Sequence, residues 1–351
     1  MNNISLCMIA KNEEKKIGRS LEASSKLGVE IIVVDTGSTD ATKEIAYKYT
    51  DKVYDFQWCN DFSAARNFSI SKASNDWILI LDCDDYVESF DAKKLQNIVD
   101  SADGYFIGEI MIKNQIDEFT ETFDTPTARF FNKNYCEFKY AIHEQICPIQ
   151  KHAVSRGSIP IIVFHDGYAG TAEEKLRKSQ RNKELLEESI KKNPNEPYLY
   201  YKLGNAYSVT EEHEQALAQY RKALEFDINP QDMMSQLLVI SYGETLLELK
   251  LYEEAMGLYG IYEEFATTAD FLCLMGLIYY YNNQPVKALL EFAKALTTEK
   301  HFRSDTNNNY PRYHIALIYE TLGKTEDAIN FYKSCVNYEP ARKKLEYYGL
   351  S

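Results

Sequence analysis

Three carboxylates fall within four residues at Asp82-Cys83-Asp84-Asp85, directly after the apolar run at residues 77–81. Acids crowded in this way repel one another unless a cation shares the site, and their oxygens suit the hard ions Mg and Mn. A divalent ion that bridges a diphosphate offsets the charge that grows as a sugar to phosphate bond breaks, so the loop suits nucleotide-sugar chemistry. The rival reading is a solvated acidic turn, because Asp-x-Asp alone is common. A second apolar run, residues 159–164, delivers His165 and Asp166 ahead of Gly167. Imidazole binds Mn, which makes His165 the candidate to stand with Asp84 as a metal ligand; a lone His is otherwise structural.

Other reactive groups sit near similar strand ends. Residues 31–35 form a buried strand-like run ending in Asp35, and Ser38 or Thr39 in the polar turn that follows is expected to cap a helix running to about Tyr49. The turn has neither the Lys of a phosphate-binding loop nor the glycine spacing of a dinucleotide fingerprint. Asp35 can accept hydrogen bonds from the edge of a base or sugar, or else satisfy its own turn amides. Arg66 stands near the start of a helix that precedes the acidic loop, where a guanidinium reaches a phosphate or pairs with the acids. His143-Glu144 is no zinc-protease box, because Cys147 occupies the place of the second His. Glu144 can act as a general base toward an acceptor or cap a loop, with His143 beside it as the other candidate catalytic group.

The elements that must position these groups change character along the chain. Up to about residue 165, strand-like runs at 4–10, 31–35, 77–81, 105–113 and 159–164 alternate with helical ones, which predicts an α/β domain with a mostly parallel sheet. Ligands of such sheets bind beyond the carboxyl ends of the strands, where the acids lie. After Tyr168 strand signals stop, and residues 173–192 read as a charged helix closed by Asn193, Pro194 and Pro197. A pattern of small and aromatic residues then recurs: Gly204, Ala216, Tyr220; Gly243, Ala255, Tyr259; Gly276, Ala288, Phe292; and Ala316, Ala328, Tyr332. The marker alanines are 39, 33 and 40 residues apart, close to a tetratricopeptide period with loop insertions. An ordinary helical bundle is the bland alternative.

The totals agree with two folded domains: 351 residues, 45% hydrophobic and 26% charged. A net charge of −14 without a basic patch excludes a general grip on nucleic acid. Seven cysteines, none spaced C-x-x-C, suggest neither a disulfide framework nor a zinc ribbon, and a reducing cytoplasm fits. Lys11, Glu13 and Glu14 follow an apolar run too short for a signal peptide or a membrane span.

The motifs Cys7-Met8-Ile9-Ala10-Lys11-Asn12-Glu13-Glu14, Val34-Asp35-Thr36-Gly37-Ser38-Thr39-Asp40, Ala65-Arg66-Asn67 and Leu81-Asp82-Cys83-Asp84-Asp85 follow one another at intervals that resemble family 2 glycosyltransferases. The later Ile142-His143-Glu144 and His165-Asp166-Gly167-Tyr168, followed by repeats, are similar to the branch that includes S-glycosyltransferases modifying cysteines of bacteriocin peptides. The resemblance implies a GT-A fold, a UDP-sugar donor, Mg or Mn, and inversion at the anomeric carbon. It implies that Ala10 and Glu13 line the nucleotide pocket and that Asp35 meets the uracil or ribose with Arg66 near it. Asp82 would face the ribose and sugar, with Cys83 beside it in the donor loop, while Asp84 holds the metal and His165 completes its shell. The usual Glu-Asp base motif of the wider family has no identifiable counterpart here, and Glu144 is the candidate base.

The organisation expected is an α/β GT-A catalytic domain at residues 1–170, a connecting helix at 171–196 and an all-α tetratricopeptide-like domain at 197–351. The expected activity moves a hexose, glucose by resemblance, from its UDP carrier to a peptide Cys or Ser side chain. A saccharide or lipid-linked acceptor is one rival, and a peptide-binding scaffold without catalysis is another. Aromatic-rich repeats also raise the expectation of a homodimer.

Overall fold

A computed structural model of the chain describes residues 3–115, 122–165 and 172–350. The chain forms two compact units, Met1–Ser189 and Ile190–Ser351. In the first, β1 (Ile4–Ala10), α1 (Ile17–Ser25), β2 (Glu30–Asp35), α2 (Thr42–Ala46), β3 (Val53–Asp55), α3 (Phe62–Ser71) and β4 (Trp77–Ile80) alternate. Then come β5 (Asp85–Phe90), α4 (Ala92–Ser101), β6 (Phe106–Gln115), β7 (Thr122–Asn132), β8 (Cys136–Lys139), β9 (Gln145–Pro148) and β10 (Ser155–His165).

Among the described residues eight strands form one sheet in the order β3-β2-β1-β4-β7-β6-β10-β5, and β8 and β9 form a separate hairpin. Hydrophobic alternation along β1 divides the core: Leu6 and Met8 pack on one face with Ile17, Leu21, Leu95 and Val99, while Cys7 packs on the other with Ile32, Ile78, Ile70 and Phe138. With both faces covered, β2 and β4 read as continuous apolar runs.

The sheet is more mixed than the strand spacing predicts. Four of its pairings are parallel (β1 with β2 and β4, β2 with β3, β6 with β10), but β7 runs antiparallel to both β4 and β6, and β5 runs antiparallel to β10. Both unexpected strands carry weak signals: β5 begins inside the acidic loop, and β7 contains Pro126. That proline is tolerated because β4 pairs only with residues 130–132, which leaves the 126 position bonded through β6 alone among the described residues. The helix after Asp35 also differs from expectation. It spans only Thr42–Ala46, and Asp40 rather than Ser38 or Thr39 accepts the Thr42 amide, at 3.0 Å. Ser38 and Thr39 instead clasp Asn12, whose amide N–H donates to Ser38 Oγ at 2.9 Å and whose Oδ1 accepts from Thr39 N at 2.8 Å.

At the edge of the sheet opposite these loops, Glu30 gathers Ser5, Lys52, Ser74 and Asn75 and ties the starts of β1, β2 and β4 together. Burial alone would raise the Glu30 pKa, but the hydrogen bonds from Lys52, Ser5 and Ser74 outweigh it and push it down to about 2. A depressed folded-state pKa gives stability that is present above pH 4.5 and lost as pH falls toward 2. Chemical denaturation between pH 5 and 2 should therefore show the native protein losing more stability than Glu30→Gln; parallel curves would contradict this.

The helical elements are α5 (Ala172–Lys192), α6 (Pro197–Val209), α7 (His213–Leu224), α8 (Met233–Glu248), α9 (Tyr252–Ala255), a 3₁₀ turn at Met256–Ile261, α10 (Tyr262–Phe265), α11 (Ala269–Tyr281), α12 (Pro285–Thr297), α13 (Asn309–Thr321), α14 (Thr325–Lys333) and α15 (Glu339–Tyr347). None of the described helices is long and apolar enough to cross a membrane. Close approach of paired helices explains the small residues. A Cβ on Gly204 would lie 2.4 Å from the Tyr220 ring, and one on Gly276 would lie 2.8 Å from Phe292. The second copy departs from the pattern, because the helix after Ala255 tightens into the 3₁₀ turn. Three residues per turn bring Leu258, not Tyr259, onto Gly243, so Leu258 is 6% exposed and Tyr259 62%. Between α12 and α13 the longer connection is strapped to α11: buried Asp270 accepts the amides of Phe302 and Arg303 at 2.8 and 3.0 Å, and Arg303 reaches Glu244 on α8.

Overpacking a helix contact of this kind costs about 1–3 kcal/mol. Gly276→Val should lower the denaturation midpoint accordingly, whereas Gly257→Ala, whose added methyl would meet nothing within 4 Å, should leave it almost unchanged.

Candidate active site

Strands β1, β2 and β4 run parallel, and two antiparallel steps through β7 return β6 and then β10 to the same direction. Their carboxyl ends therefore share one edge, and Ala10, Asp35, Asp82 and His165 arrive there together. Ala10 stands opposite Asp35 in the β1–β2 register and its carbonyl accepts the Thr36 amide at 2.9 Å. Asp35 is 2% exposed; Oδ1 accepts the Gly37 and Ser38 amides at 2.9 Å each, and Oδ2 is buried with no partner among the described residues. An orphaned buried carboxylate oxygen is costly, and a donor group from a ligand would satisfy it.

Helix α3 begins at Phe62 because the Asp61 side chain accepts the Ala64 amide, which sets Arg66 one turn inside on the buried face. From there its guanidinium joins two acids, Nε donating to Glu144 Oε1 at 2.6 Å and Nη2 to Asp82 Oδ1 at 2.8 Å. The loop carrying Glu144 is stitched to the same helix, since Phe62 N donates to Ala141 O, Ser63 Oγ to Tyr140 O and Asn67 Nδ2 to Phe138 O. The other oxygen of Asp82 accepts from Arg129 Nη2 at 2.8 Å. Burial opposes the charged form of Asp82, but Arg129 and Arg66 hold its carboxyl well below the usual carboxylate range. Burial likewise works against the Arg66 cation, and Asp82 and Glu144 outweigh it.

Of the three loop acids expected to share a cation, Asp82 is the one drawn toward the arginines in this structure. The cluster with metal-ligand chemistry is Asp84, Asp85 and His165, whose ligand atoms lie within 4.8 Å of one another. In an octahedral shell with bonds of about 2.1 Å, ligand atoms stand roughly 3 to 4.2 Å apart, so slight contraction would let these groups share one ion. Two carboxylates and an imidazole are a fitting donor set for Mg or Mn. Asp85, fully buried, also braces the loop, as Oδ2 accepts the Asp82 amide at 2.9 Å and Oδ1 lies 2.9 Å from His165 Nδ1. Asp84 Oδ1 is 3.7 Å from the same nitrogen, and Lys16 Nζ is 3.8 Å from Asp84 Oδ2.

Burial raises the Asp84 pKa, with Asp82 and Asp85 adding to the shift and His165 opposing it. For His165, burial lowers the pKa, but the bond to Asp85 and the charges of Asp84 and Asp82 prevail and raise it above 6.5. Glu13 is half-buried with its pKa raised, first by burial and then by Asp84. Cys83 turns its side chain into the core, Sγ donating to Ile9 O at 3.5 Å, so only its backbone remains for a ligand. His143 is exposed with φ at 53°, next to Glu144, which the Arg66 network holds. Asp166, Gly167 and Tyr168 lie outside the described residues. Two contributors escaped the sequence reading: Arg129, on a strand that was not foreseen, and the bracing role of Asp85. None of the seven cysteines is joined in a disulfide.

Residues 5–158 match the family described as Glycosyl transferase family 2, and residues 185–225 and 311–342 each match a tetratricopeptide repeat. The N-terminal unit is a family 2 glycosyltransferase domain. Tetratricopeptide repeats follow it. The SPbeta prophage-derived glycosyltransferase SunS of Bacillus subtilis is 27% identical over 220 residues, which is 62% of this chain and 52% of SunS. A TPR repeat-containing protein of Synechococcus elongatus is 30% identical over 216 residues, 58% of this chain and 52% of the relative. The chain thus spans about half the length of these curated relatives. Among solved structures, MamA from Desulfovibrio magneticus is 19% identical with a TM-score of 0.39, covering 48% of this chain and 91% of MamA, a likeness too loose to carry an argument.

A metal competes with the proton on His165, whose pKa lies above its usual 6.5, so Mn2+ affinity should rise as the pH climbs past that value, with a shallower slope in His165→Gln. Paramagnetic resonance titration of Mn2+ checks this, and Asp84→Ala should abolish the binding; undiminished binding by that variant would refute the site.

Proposed function

We propose that the chain transfers a hexose from a UDP-sugar to a peptide Cys thiol or Ser hydroxyl, with inversion at the anomeric carbon and with Mg or Mn. The observation that carries this reading is the bridge through Arg66, which ties the loop carboxylate Asp82 to Glu144 and so joins a donor site to a base. Asp35, with its orphaned Oδ2, faces the uracil or ribose, and Ala10 and Glu13 line the nucleotide pocket. Asp84 and His165, braced by Asp85, would hold the divalent ion, which when bound neutralises charge on the departing diphosphate.

The transfer is a single displacement. The acceptor sulfur or oxygen forms its bond to the anomeric carbon, the bond from that carbon to the diphosphate oxygen breaks, and its electron pair leaves with UDP. The acceptor proton passes to Glu144, which has one oxygen committed to Arg66 and, among the described residues, makes no hydrogen bond through the other. Tetratricopeptide arrays present extended surfaces suited to an unfolded peptide, and the resemblance to peptide S-glycosyltransferases agrees with such an acceptor.

Incubation with UDP-hexoses, Mn2+ and a panel of Cys- and Ser-containing peptides, read by mass spectrometry, should give a hexose mass gain on one of them. Glu144→Gln should lower kcat by about 100-fold or more while leaving UDP affinity close to native. Gains confined to saccharide or lipid-linked acceptors would reject the peptide acceptor, and failure to turn over any UDP-sugar would reject catalysis.

A further inference from the structure

Strand β7 carries an irregularity at one residue. Its pairing with β6 runs Ile107 to Phe131 and Gly108 to Phe130, then resumes at Glu109 with Ala128, so that Arg129 is left over as a bulge. On its other side β7 is bonded to β4 only as far as Leu79 opposite Phe130. The bulge thus falls where β4 ends and the acidic loop starts. A bulge costs ladder hydrogen bonds and persists where it re-aims a side chain. Beside it Gly108 leaves no room for a Cβ, which would lie 2.7 Å from Ile159 and 3.1 Å from Phe130, so β6 has given up a side chain to close around the distortion.

The re-aimed side chain reaches Asp82. Arg129 and Arg66 approach from different strands and helices and each takes one oxygen, both at 2.8 Å. A carboxylate offers about four lone-pair directions, so two remain for hydroxyl groups of a ligand. Held by a single guanidinium, such a group can pivot about its contact; held by two, it has one orientation. Among the described residues Arg129 Nε finds no partner although it is buried, and the same holds for Arg66 Nη1.

We propose that Arg129 is a donor-positioning residue, delivered by the β7 bulge to lock the Asp82 carboxylate in the orientation that reads the hydroxyls of the nucleotide ribose. This rests on the nucleotide-sugar reading of the site. Arg129 touches neither the reacting carbon nor the acceptor; it acts through Asp82.

The test compares Mn2+-dependent binding of UDP and of 2′,3′-dideoxy-UDP to the full chain by titration calorimetry. The native protein should prefer UDP by roughly tenfold or more, the size expected of a charge-assisted hydrogen bond. In Arg129→Met the preference should fall toward unity, while Mn2+ affinity stays near native and the melting temperature shows a folded protein. Arg129→Lys, which restores the charge but not the fork, should fall between, and it carries the test if the Met variant does not fold. A native preference in a folded variant would overturn this inference and leave the nucleotide-sugar reading standing. No binding of UDP by the native protein would overturn both.

Discussion

Asp82 is a carboxylate partly withdrawn from water at the end of a buried strand, and such a charge is tolerable only because Arg66 and Arg129 each take one of its oxygens. That requirement fixes much of what surrounds it. Arg66 must lie on the inner face of α3, so α3 packs against the sheet through its second turn and fastens the loop bearing Glu144. Arg129 reaches Asp82 from the sheet itself, where β7 lies beside β4 and bulges. Asp84, Asp85 and His165 form a neighbouring cluster, linked to Asp82 through its backbone amide. Two electrostatic sub-sites, one arginine-rich and one acidic, thus adjoin along a single loop of the chain.

Most of the candidate site could be read from the sequence, because its members end apolar runs: Asp35 after residues 31–34, Asp82 after 77–81 and His165 after 159–164. Arg129 could not, since the strand carrying it mixes Thr, Pro and Ala with Phe and has no period of two, and a bulge leaves no mark in composition. Asp85 was visible as an acid but not as a brace, because its partners, the Asp82 amide and His165, are set by a turn and a strand pairing far along the chain. The mixed sheet was missed for a related reason: continuous apolar strands suggest parallel neighbours, yet β7, of whose described residues only Phe130, Phe131 and Asn132 are buried, pairs antiparallel with β4 through that short stretch.

In the repeats the marker alanines located every helix pair, since each is buried to below 1% exposure. The exception within the second pair shows what spacing omits. Ala255 is in register, but the backbone beyond it winds more tightly, and an aliphatic side chain one position earlier takes the place of the aromatic. Helical period, and not residue identity, decided which side chain faces inward.

The strap between α12 and α13 has a consequence for how the array comes apart. A tetratricopeptide stack ordinarily behaves as a linear chain of neighbours, each free to fray from an end. Here backbone amides of the connection are held by Asp270 on α11, and Arg303 extends the hold to Glu244 on α8. Loss of the last pair would therefore strip contacts from two earlier ones, so the third and fourth pairs form a single cooperative block, and melting has to begin elsewhere or take both at once.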